Sequence, residues 1–289
     1  MDIGPDISAS EIATLGEVAV EVALAAAEHV RRRRPELFGA VPETGGVSTK
    51  STPTDPVTLA DTESENLIRS LLRERRPGEE ILGEEEGGSV DVPAGIRWVV
   101  DPIDGTVNFL YGIPAYAVSV AAQAGGRSVA GAVVDVARGA LYYATRGGGA
   151  HMRVDGVTTR LRANPVSRLD LSLVATGFGY DPARRRVQGA LIAQILPRVR
   201  DLRRIGAAAL DLCMVASGAV DAHIEHGLSP WDWAAGALIA AEAGAVVLTP
   251  PPQSRSAQGH ATIAAAPGVA AEFLALLDEL DARRPLGGE

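Results

Sequence analysis

The segment Trp98–Phe109 constrains the fold more than any other part of the 289-residue chain. It begins with the apolar run Trp98–Val100 and then carries two carboxylates, Asp101 and Asp104, into a Gly-Thr turn. Such a run predicts a buried strand, so the carboxylates emerge at the edge of a core. Partly buried carboxylates this close together repel each other unless a cation or a proton joins them. Because hard oxygen ligands suit Mg²⁺ better than Zn²⁺, the segment predicts the centre of a metal-phosphate site.

The residues around the two carboxylates favour a turn that holds an anion. Pro102 removes a backbone donor and is expected to end regular strand pairing. Gly105 lets the backbone approach a ligand, and Thr106 is expected to cap a short helix, whose unpaired N–H groups attract anions. The alternative is an ordinary surface turn, because Asp-Pro and Asp-Gly pairs are common turn formers.

The composition argues against several classes of protein. A formal net charge of -9 is unfavourable for general nucleic-acid binding. Cys213 is the single cysteine and cannot form an internal disulfide, and Asp2 and Asp6 stand where a secretory signal would carry basic residues. Apolar runs are interrupted by glutamates before they reach the ~18 residues of a membrane span. We therefore expect a cytoplasmic protein without a membrane segment.

Capping patterns predict two helices in the first part of the chain. Ser8 and Glu11 have capping-box spacing ahead of an apolar helical face, which predicts a helix over about residues 10–34, ending before a proline. Thr62 and Glu65 have the same spacing and predict the start of a second helix.

The rest of the chain favours two different sheet arrangements. After the central segment, short strands separated by turn signals predict an antiparallel meander. Within it, Gly147–Gly149 lacks the spacing of a nucleotide-binding loop and is interpreted as a hairpin turn. From about Leu171, strands alternate with helices, which is typical of an α/β arrangement. We expect an N-terminal α+β lobe over residues 1–165 and a C-terminal α/β lobe over residues 166–289.

Separated segments of the chain resemble the signature segments of the inositol monophosphatase family, in their usual order and spacing. They are Lys50–Asp61, Gly83–Glu85, Trp98–Phe109, Trp231–Gly236 and Glu242–Gly244. The resemblance covers roughly residues 10–285 and is strongest to the bacterial inositol-1-monophosphatases. It implies a layered α/β/α/β/α sandwich and a Mg²⁺-dependent phosphomonoesterase.

The resemblance also implies a set of metal ligands. One Mg²⁺ would be held by Glu84, Asp101 and the main-chain carbonyl of Ile103, and a second by Asp101, Asp104 and Asp232. A weaker third ion would use Glu84 and water molecules. Li⁺ would inhibit the enzyme, as it does in the family.

The family's mechanism is direct attack of a metal-activated water on the phosphorus of myo-inositol 1-phosphate, which yields inositol and phosphate. By analogy, Thr106 and Asp61 would pair to activate the water, because a threonine hydroxyl alone is a poor base. Glu84 would share that task. The backbone amides of Gly105 and Thr106 would hold phosphate oxygens at the helix start.

Substrate selection is expected to depend on residues outside the metal motif. By resemblance, Glu225 and Asp232 would bind the substrate, and a carboxylate such as Glu225 accepts hydrogen bonds from polyol hydroxyls. Gly206 and Ala207 would also contact the substrate, although Ala207 lacks the hydroxyl of the threonine that the family often carries. Histidinol phosphate, fructose bisphosphate and adenosine 3′,5′-bisphosphate remain alternative substrates, because the metal motif does not separate them.

Several candidate residues also have an ordinary structural explanation. Glu84 could belong to a solvated acidic turn, and Asp61 could cap a helix. Asp232 could lie in the first turn of a helix, where the helix dipole favours a negative charge, and Lys50 could be an ordinary loop lysine.

An alternative of another class is a mainly non-catalytic partner in transcription or ribosome biogenesis, as in some bacterial relatives. The basic segments Arg31–Arg34 and Arg184–Arg186 are the hint in its favour, against the acidic balance of the chain. Arg31–Arg34 is otherwise interpreted as a solvated helix end. The family resemblance further implies a homodimer that binds a small phosphomonoester.

Overall fold

Two β-sheets and three layers of helices alternate through the protein, in a computed structural model that describes residues 7–38, 47–49 and 56–287. The helices of the described residues are α1 (Ala9–Phe38), α2 (Leu59–Arg75), α3 (Thr106–Tyr111), α4 (Pro182–Ile195), α5 (Ala208–Ser217), α6 (Pro230–Glu242) and α7 (Ala270–Glu279). Each of them is too short or too polar to cross a bilayer.

The first sheet is formed by consecutive strands in the order β3-β4-β5-β6-β7-β8-β9. Their bounds are β3 (Glu80–Gly83), β4 (Ile96–Asp104), β5 (Ala117–Ala124), β6 (Arg127–Asp135), β7 (Ala140–Thr145), β8 (Gly149–Val154) and β9 (Val157–Arg160). All neighbouring pairs from β4 onward are antiparallel, which confirms the predicted meander, while β3 is parallel to β4. The glycine cluster joins β7 to β8, as the hairpin interpretation predicts.

The second sheet has the order β11-β10-β12-β14-β13. Its strands are β10 (Leu173–Thr176), β11 (Asp201–Arg203), β12 (Ala222–His226), β13 (Val246–Leu248) and β14 (Ala261–Ala265). β10, β11 and β12 are parallel, and β13 and β14 complete the sheet by antiparallel pairing. Two short strands, β1 (Val47–Thr49) and β2 (Pro56–Thr58), pair separately.

Burial shows how the layers are stacked. α1 and α2 cover one face of the first sheet, α5 and α6 pack between the two sheets, and α4 and α7 cover the outer face of the second sheet. This stacking confirms the predicted α/β/α/β/α sandwich. It also explains the apolar run in β4, because Trp98 and Val100 face α1 and α2 while Val99 faces α5 and α6. A strand buried on both faces is apolar at successive positions rather than at alternate ones.

The end of β4 differs from the prediction at one residue. The strand reaches Asp104, but its regular pairing with β5 ends at Asp101 and the register shifts between Asp101 and Asp104, as expected from Pro102. Thr106 does not cap α3, because Gly105 occupies the cap position and Thr106 is the first helical residue. The irregular pairing turns both carboxylates toward the same region, and bulges commonly re-aim side chains near functional sites.

The first helix is longer than predicted. The Ser8 hydroxyl accepts a hydrogen bond from the Glu11 N–H at 3.1 Å, which confirms the predicted start. The helix then continues through Pro35 to Phe38, because Phe38 is buried and packs edge-on against the Phe109 ring at a centroid distance of 5.6 Å. Tertiary packing therefore outweighs the hydrogen bond that proline removes.

The start of α2 also differs from the prediction. The capping box is formed by Thr58 and Asp61, whose carboxylate accepts the Thr58 N–H at 2.9 Å, and not by Thr62 and Glu65. Glu65 is instead fully buried. The capping-box spacing of Thr62 and Glu65 therefore does not mark a helix cap. Glu65 is a buried carboxylate that holds the neighbouring loop in place.

Candidate active site

Three aspartates come together where β4 ends and α6 begins. Asp101 and Asp104 lie at the end of β4, and Asp232 lies in the first turn of α6. One carboxylate oxygen from each lies within 4.8 Å of the others, and Asp101 and Asp104 are only 1% and 7% exposed. The fold therefore brings together the carboxylates that the sequence separates by more than a hundred residues.

The electrostatics of this cluster favour a bound cation. Burial raises the pKa of Asp101, and the negative charges of Glu84, Asp104 and Asp232 raise it further. Burial likewise raises the pKa of Asp104 to about 7 and that of Asp232 well above its usual range. One oxygen of Asp101 accepts the Ile103 N–H at 3.0 Å, while the other has no hydrogen-bond donor in the described part of the chain. A divalent cation fits this set, since it would supply the missing partner and offset the repulsion.

Glu84 reaches the cluster from the end of β3, and a residue that the sequence did not identify positions it. The buried Glu65 carboxylate accepts the N–H groups of Glu85 at 2.7 Å and Glu86 at 2.9 Å. A Cβ at Gly83 would overlap that carboxylate, which is the physical reason for glycine there. Glu65 therefore fixes the turn from which Glu84 projects into the cleft.

Asp104 also connects the cluster to the second half of the chain. Its two carboxylate oxygens accept hydrogen bonds from the Ala208 N–H at 3.2 Å and the Ala209 N–H at 2.7 Å, at the first turn of α5. These donors would otherwise be unpaired, and the positive end of the helix favours a carboxylate there.

The hydroxyl of Thr106 lies between two acceptors. It is 3.0 Å from Asp61 Oδ1 and 3.0 Å from the carbonyl oxygen of Ile103. The other oxygen of Asp61 accepts the backbone N–H and the hydroxyl of Thr58, so the carboxylate is held in a fixed orientation. Asp61 thus caps α2 and contacts Thr106 at the same time. The interpretation of Asp61 as a helix cap is therefore compatible with its interpretation as the partner of Thr106.

Two glycine-containing turns meet beside the aspartates. Gly105 and Gly206 have φ values of 90° and 92°, a conformation that glycine adopts without strain. A Cβ at Gly105 would lie 3.0 Å from the Ala115 carbonyl oxygen and 3.1 Å from that of Gly206. The Asn108 side chain ties the turns together by donating to the carbonyls of Ala115 at 2.7 Å and Ile205 at 2.9 Å.

One cleft of about 710 Å³ joins these features. Nearly all of the sequence-predicted site residues line it: Glu84, Asp101, Ile103, Asp104, Gly105, Thr106, Gly206, Ala207, Glu225 and Asp232. Asp61 adjoins the cleft through Thr106, and Lys50 lies outside the described residues. Burial raises the pKa of Glu225 to about 8, so this carboxyl can donate as well as accept a hydrogen bond near neutral pH.

The sequence did not identify several further residues of the cleft. Arg204 and the turn Phe178–Asp181 line it, yet no local pattern marks them. Asn108 lies inside the recognised Trp98–Phe109 segment, but its role as a bridge between turns depends on the distant carbonyl of Ile205. Only the fold reveals these contacts.

The alternating layers and the carboxylate cleft define a sandwich of the sugar-phosphatase type. Comparison with known proteins then identifies the family, since the sequence profile of the inositol monophosphatase family matches residues 11–281. The chain belongs to the inositol monophosphatase family. Membership in this family of phosphatases supports a hydrolase that depends on metal.

Individual relatives agree with this assignment. The chain is 53% identical to inositol-1-monophosphatase SuhB of Mycobacterium tuberculosis over 284 residues, which is 96% of this chain and 98% of the relative. It is 39% identical over 222 residues to the Nus factor SuhB of Pasteurella multocida, or 76% of this chain and 81% of the relative. The solved structure of Mycobacterium tuberculosis SuhB superposes with a TM-score of 0.79 and 49% identity, covering 93% of this chain and 97% of that one.

Proposed function

We propose that this protein is a Mg²⁺-dependent phosphomonoesterase that hydrolyses myo-inositol 1-phosphate to inositol and phosphate. The observation that carries the proposal is the cluster of three aspartates, two of them buried, within 4.8 Å of one another and next to the helix start at Gly105. The name of the Mycobacterium tuberculosis relative, an inositol-1-monophosphatase, supports the choice of substrate.

In this proposal, two or three Mg²⁺ ions occupy the cluster. Glu84, Asp101 and the Ile103 carbonyl would hold one, and Asp101, Asp104 and Asp232 would hold another, with Glu84 and water available for a weaker third. Bound Mg²⁺ would polarise the phosphate and lower the pKa of water. Li⁺ is the proposed inhibitor.

Thr106 and Asp61 are proposed to move the proton of the attacking water. Thr106 Oγ1 donates its hydrogen toward Asp61 Oδ1 over 3.0 Å, so it can accept a proton from water as it passes its own to the carboxylate. The two bonds from Thr58 keep Asp61 aimed at Thr106 throughout. Glu84 is a further acceptor on the same side of the cleft.

The remaining cleft residues are proposed to bind the substrate. The N–H groups of Gly105 and Thr106, at the start of α3, would donate hydrogen bonds to the phosphate oxygens. Glu225 and Asp232 would bind sugar hydroxyls, and Gly206 and Ala207 would pack against the ring as the floor of the cleft. We also propose that the protein is a cytoplasmic homodimer.

The direct test measures phosphate released from inositol 1-phosphate, with and without Mg²⁺, for the wild type and for Asp101→Asn. We expect Mg²⁺-dependent release in the wild type and a loss of about 10²-fold or more in the variant, since removal of one electrostatic stabiliser has effects of this size. Asp135→Asn is the matched control, because Asp135 is equally buried but bonds to Arg138 outside the cleft. Full activity without Mg²⁺, or full activity in Asp101→Asn, would contradict the proposal.

A panel of phosphomonoesters compared by kcat/KM decides among inositol 1-phosphate, histidinol phosphate, fructose bisphosphate and adenosine 3′,5′-bisphosphate, because specificity is a ratio of these values. A higher value for another member of the panel would replace the proposed substrate while leaving the proposed reaction intact.

A second candidate function is a partnership in transcription, which the name of the Pasteurella multocida relative suggests. One arginine of each basic segment that hinted at it is engaged within this chain: Arg33 pairs with Glu63 and Glu36, and the buried Arg184 bonds to the carbonyls of Leu286 and Ala257. These contacts favour the catalytic proposal. Rescue of a deletion phenotype by the Asp101→Asn variant would instead support the partner role.

A further inference from the structure

A buried pair of polar side chains lies behind the wall of the cleft. Asp211 of α5 and His223 of β12 are 1% and 0% exposed, and Asp211 Oδ2 lies 4.0 Å from His223 Nδ1. Within the described part of the chain, neither carboxyl oxygen of Asp211 and neither ring nitrogen of His223 has a hydrogen-bond partner. Unpaired buried polar groups are costly, so two apolar side chains would suit this core better unless Asp211 and His223 bind each other.

The pair joins two elements that carry different parts of the site. The first turn of α5 donates the N–H groups of Ala208 and Ala209 to the Asp104 carboxylate of the metal cluster. β12 carries Glu225 two residues after His223, so both side chains lie on the face of the second sheet that is turned toward α5. An interaction between α5 and β12 therefore affects the distance between Asp104 and Glu225.

The position of the Glu225 carboxyl depends on the placement of β12. The carboxyl lines the cleft and packs against Gly177, where a Cβ would overlap it. Among the residues that the structure describes, none forms a hydrogen bond with this carboxyl. A movement of the strand would consequently move Glu225 with it.

Asp211 and His223 have complementary hydrogen-bonding groups. Burial and the negative charge of Glu225 raise the pKa of Asp211 well above its usual range, and burial lowers the pKa of His223 to about 3. Near neutral pH the carboxyl therefore keeps its proton as a donor, and the neutral imidazole offers a nitrogen as an acceptor. The end torsions of both side chains are soft, and rotation that shortens the separation by about 1 Å gives a normal hydrogen bond.

We infer that Asp211 and His223 form a neutral hydrogen bond that ties α5 to β12 and so holds Glu225 at a fixed distance from the aspartate cluster. The inference rests on the proposed function, in which Glu225 binds a hydroxyl of the substrate. Asp211 and His223 are positioning residues, because they lie outside the lining of the cleft and act through Glu225. Loss of their bond should weaken recognition of the polyol more than attack on the phosphate, since a binding group displaced by about 1 Å loses its interaction.

The test compares inositol 1-phosphate with phenyl phosphate, whose leaving group has no hydroxyl for Glu225 to bind. We measure kcat and KM for both esters with Mg²⁺. We also measure the affinities of their phosphonate analogues, in which a CH₂ group replaces the ester oxygen and prevents hydrolysis. In Asp211→Leu, the preference for the polyol should fall about tenfold in kcat/KM and in affinity, mainly through KM, as for one lost hydrogen bond to the substrate.

Two variants separate positioning from a purely structural role. Asp211→Asn keeps a donor for His223 and should retain the preference for the polyol, whereas His223→Phe should lose it as Asp211→Leu does. Asp135→Leu is the matched control, because Asp135 is equally buried but bonds to Arg138 outside the cleft. This control should lower the melting temperature and leave the preference unchanged.

An unchanged preference in Asp211→Leu would overturn the inference, as would a wild type that does not prefer the polyol or an Asp211→Asn variant as impaired as Asp211→Leu. Addition of Asp211→Leu to Glu225→Gln should lower the preference no further, and an additive loss would show that the pair does not act through Glu225. An equal loss in Asp135→Leu would reduce the effect to general instability and so refute it. If the polyol phosphonate is preferred through Asp211 but no phosphate is released from either ester, the proposed function alone fails.

Discussion

Replacement of Asp101 by asparagine should stabilise the metal-free protein while it removes the response to Mg²⁺. Asparagine has nearly the shape of aspartate, and its carbonyl can keep the hydrogen bond from the Ile103 N–H. The other oxygen of Asp101 is buried and accepts no backbone N–H, so the substitution takes away a charge and keeps the bond to Ile103.

The size of the effect follows from the geometry of the cluster. At an effective dielectric constant of about 20, two unit charges separated by the 4.8 Å limit of the cluster repel by about 3.5 kcal/mol. Asp101 takes part in two of these pairs, one with Asp104 and one with Asp232, and the charge of Glu84 adds to the repulsion. Because the pKa values of all three aspartates are raised, that of Asp104 to about 7, proton uptake relieves part of the repulsion near neutral pH. The remaining gain in unfolding free energy is on the order of 4 kcal/mol, or roughly 10 °C in melting temperature.

The assay is thermal unfolding at pH 7.5, first with chelator and then with increasing Mg²⁺. The wild type should gain about 2.7 kcal/mol when Mg²⁺ reaches a hundred times its dissociation constant, and Asp101→Asn should gain little. Asp135→Asn serves as the control and should keep the Mg²⁺ response. If Asp101→Asn melted below the wild type in chelator, or kept the full Mg²⁺ shift, the cluster would not be a site of repulsion that a cation relieves.

Three other predictions concern single residues. Thr106→Ala should lower kcat by about 10²-fold or more with little change in KM, whereas Thr106→Ser should retain activity, because only the hydroxyl reaches Asp61. An active alanine variant would exclude proton transfer by the Thr106 hydroxyl. Glu225→Gln should reduce the preference for a polyol phosphate over an aryl phosphate by about tenfold in kcat/KM, and an unchanged preference would place polyol recognition elsewhere. Burial raises the pKa of Asp211 well above 3.8, so the free energy of unfolding should fall as the pH rises from about 4 toward the folded-state pKa of this group. In denaturant titrations, Asp211→Asn should make that fall smaller. The carboxylate of Asp221 accepts two hydrogen bonds, so Asp221→Asn should lower the free energy of unfolding without changing its pH dependence.

The sequence predicted well those features that depend on residues close together in the chain. The antiparallel meander follows from short apolar runs separated by turns, and the start of α1 follows from Ser8 and Glu11. The family resemblance added what local patterns do not contain, namely that Asp101 and Asp232 belong to one site. The structure places their carboxylate oxygens within 4.8 Å of each other.

The errors of the sequence analysis have a common physical origin in long-range contacts. α1 passes Pro35 because Phe38 packs against Phe109, far along the chain. Glu65 has the spacing of a capping residue, yet it is buried beneath Gly83 and binds the backbone of the following turn. In each case the local pattern is compatible with several roles, and a partner distant in sequence selects one.

Asp104 shows why the choice of variant matters for testing this site. Its carboxylate belongs to the aspartate cluster and also accepts the N–H groups of Ala208 and Ala209. A carboxylate has about four lone-pair sites, so it can bind the helix start and a cation together, whereas asparagine would turn an N–H₂ group toward one backbone N–H. Asp104→Asn would therefore disturb α5, and with it the adjoining turn at Gly206, in addition to any metal. Loss of activity in that variant would not separate the two causes, while Asp101→Asn changes the cluster and leaves α5 in place.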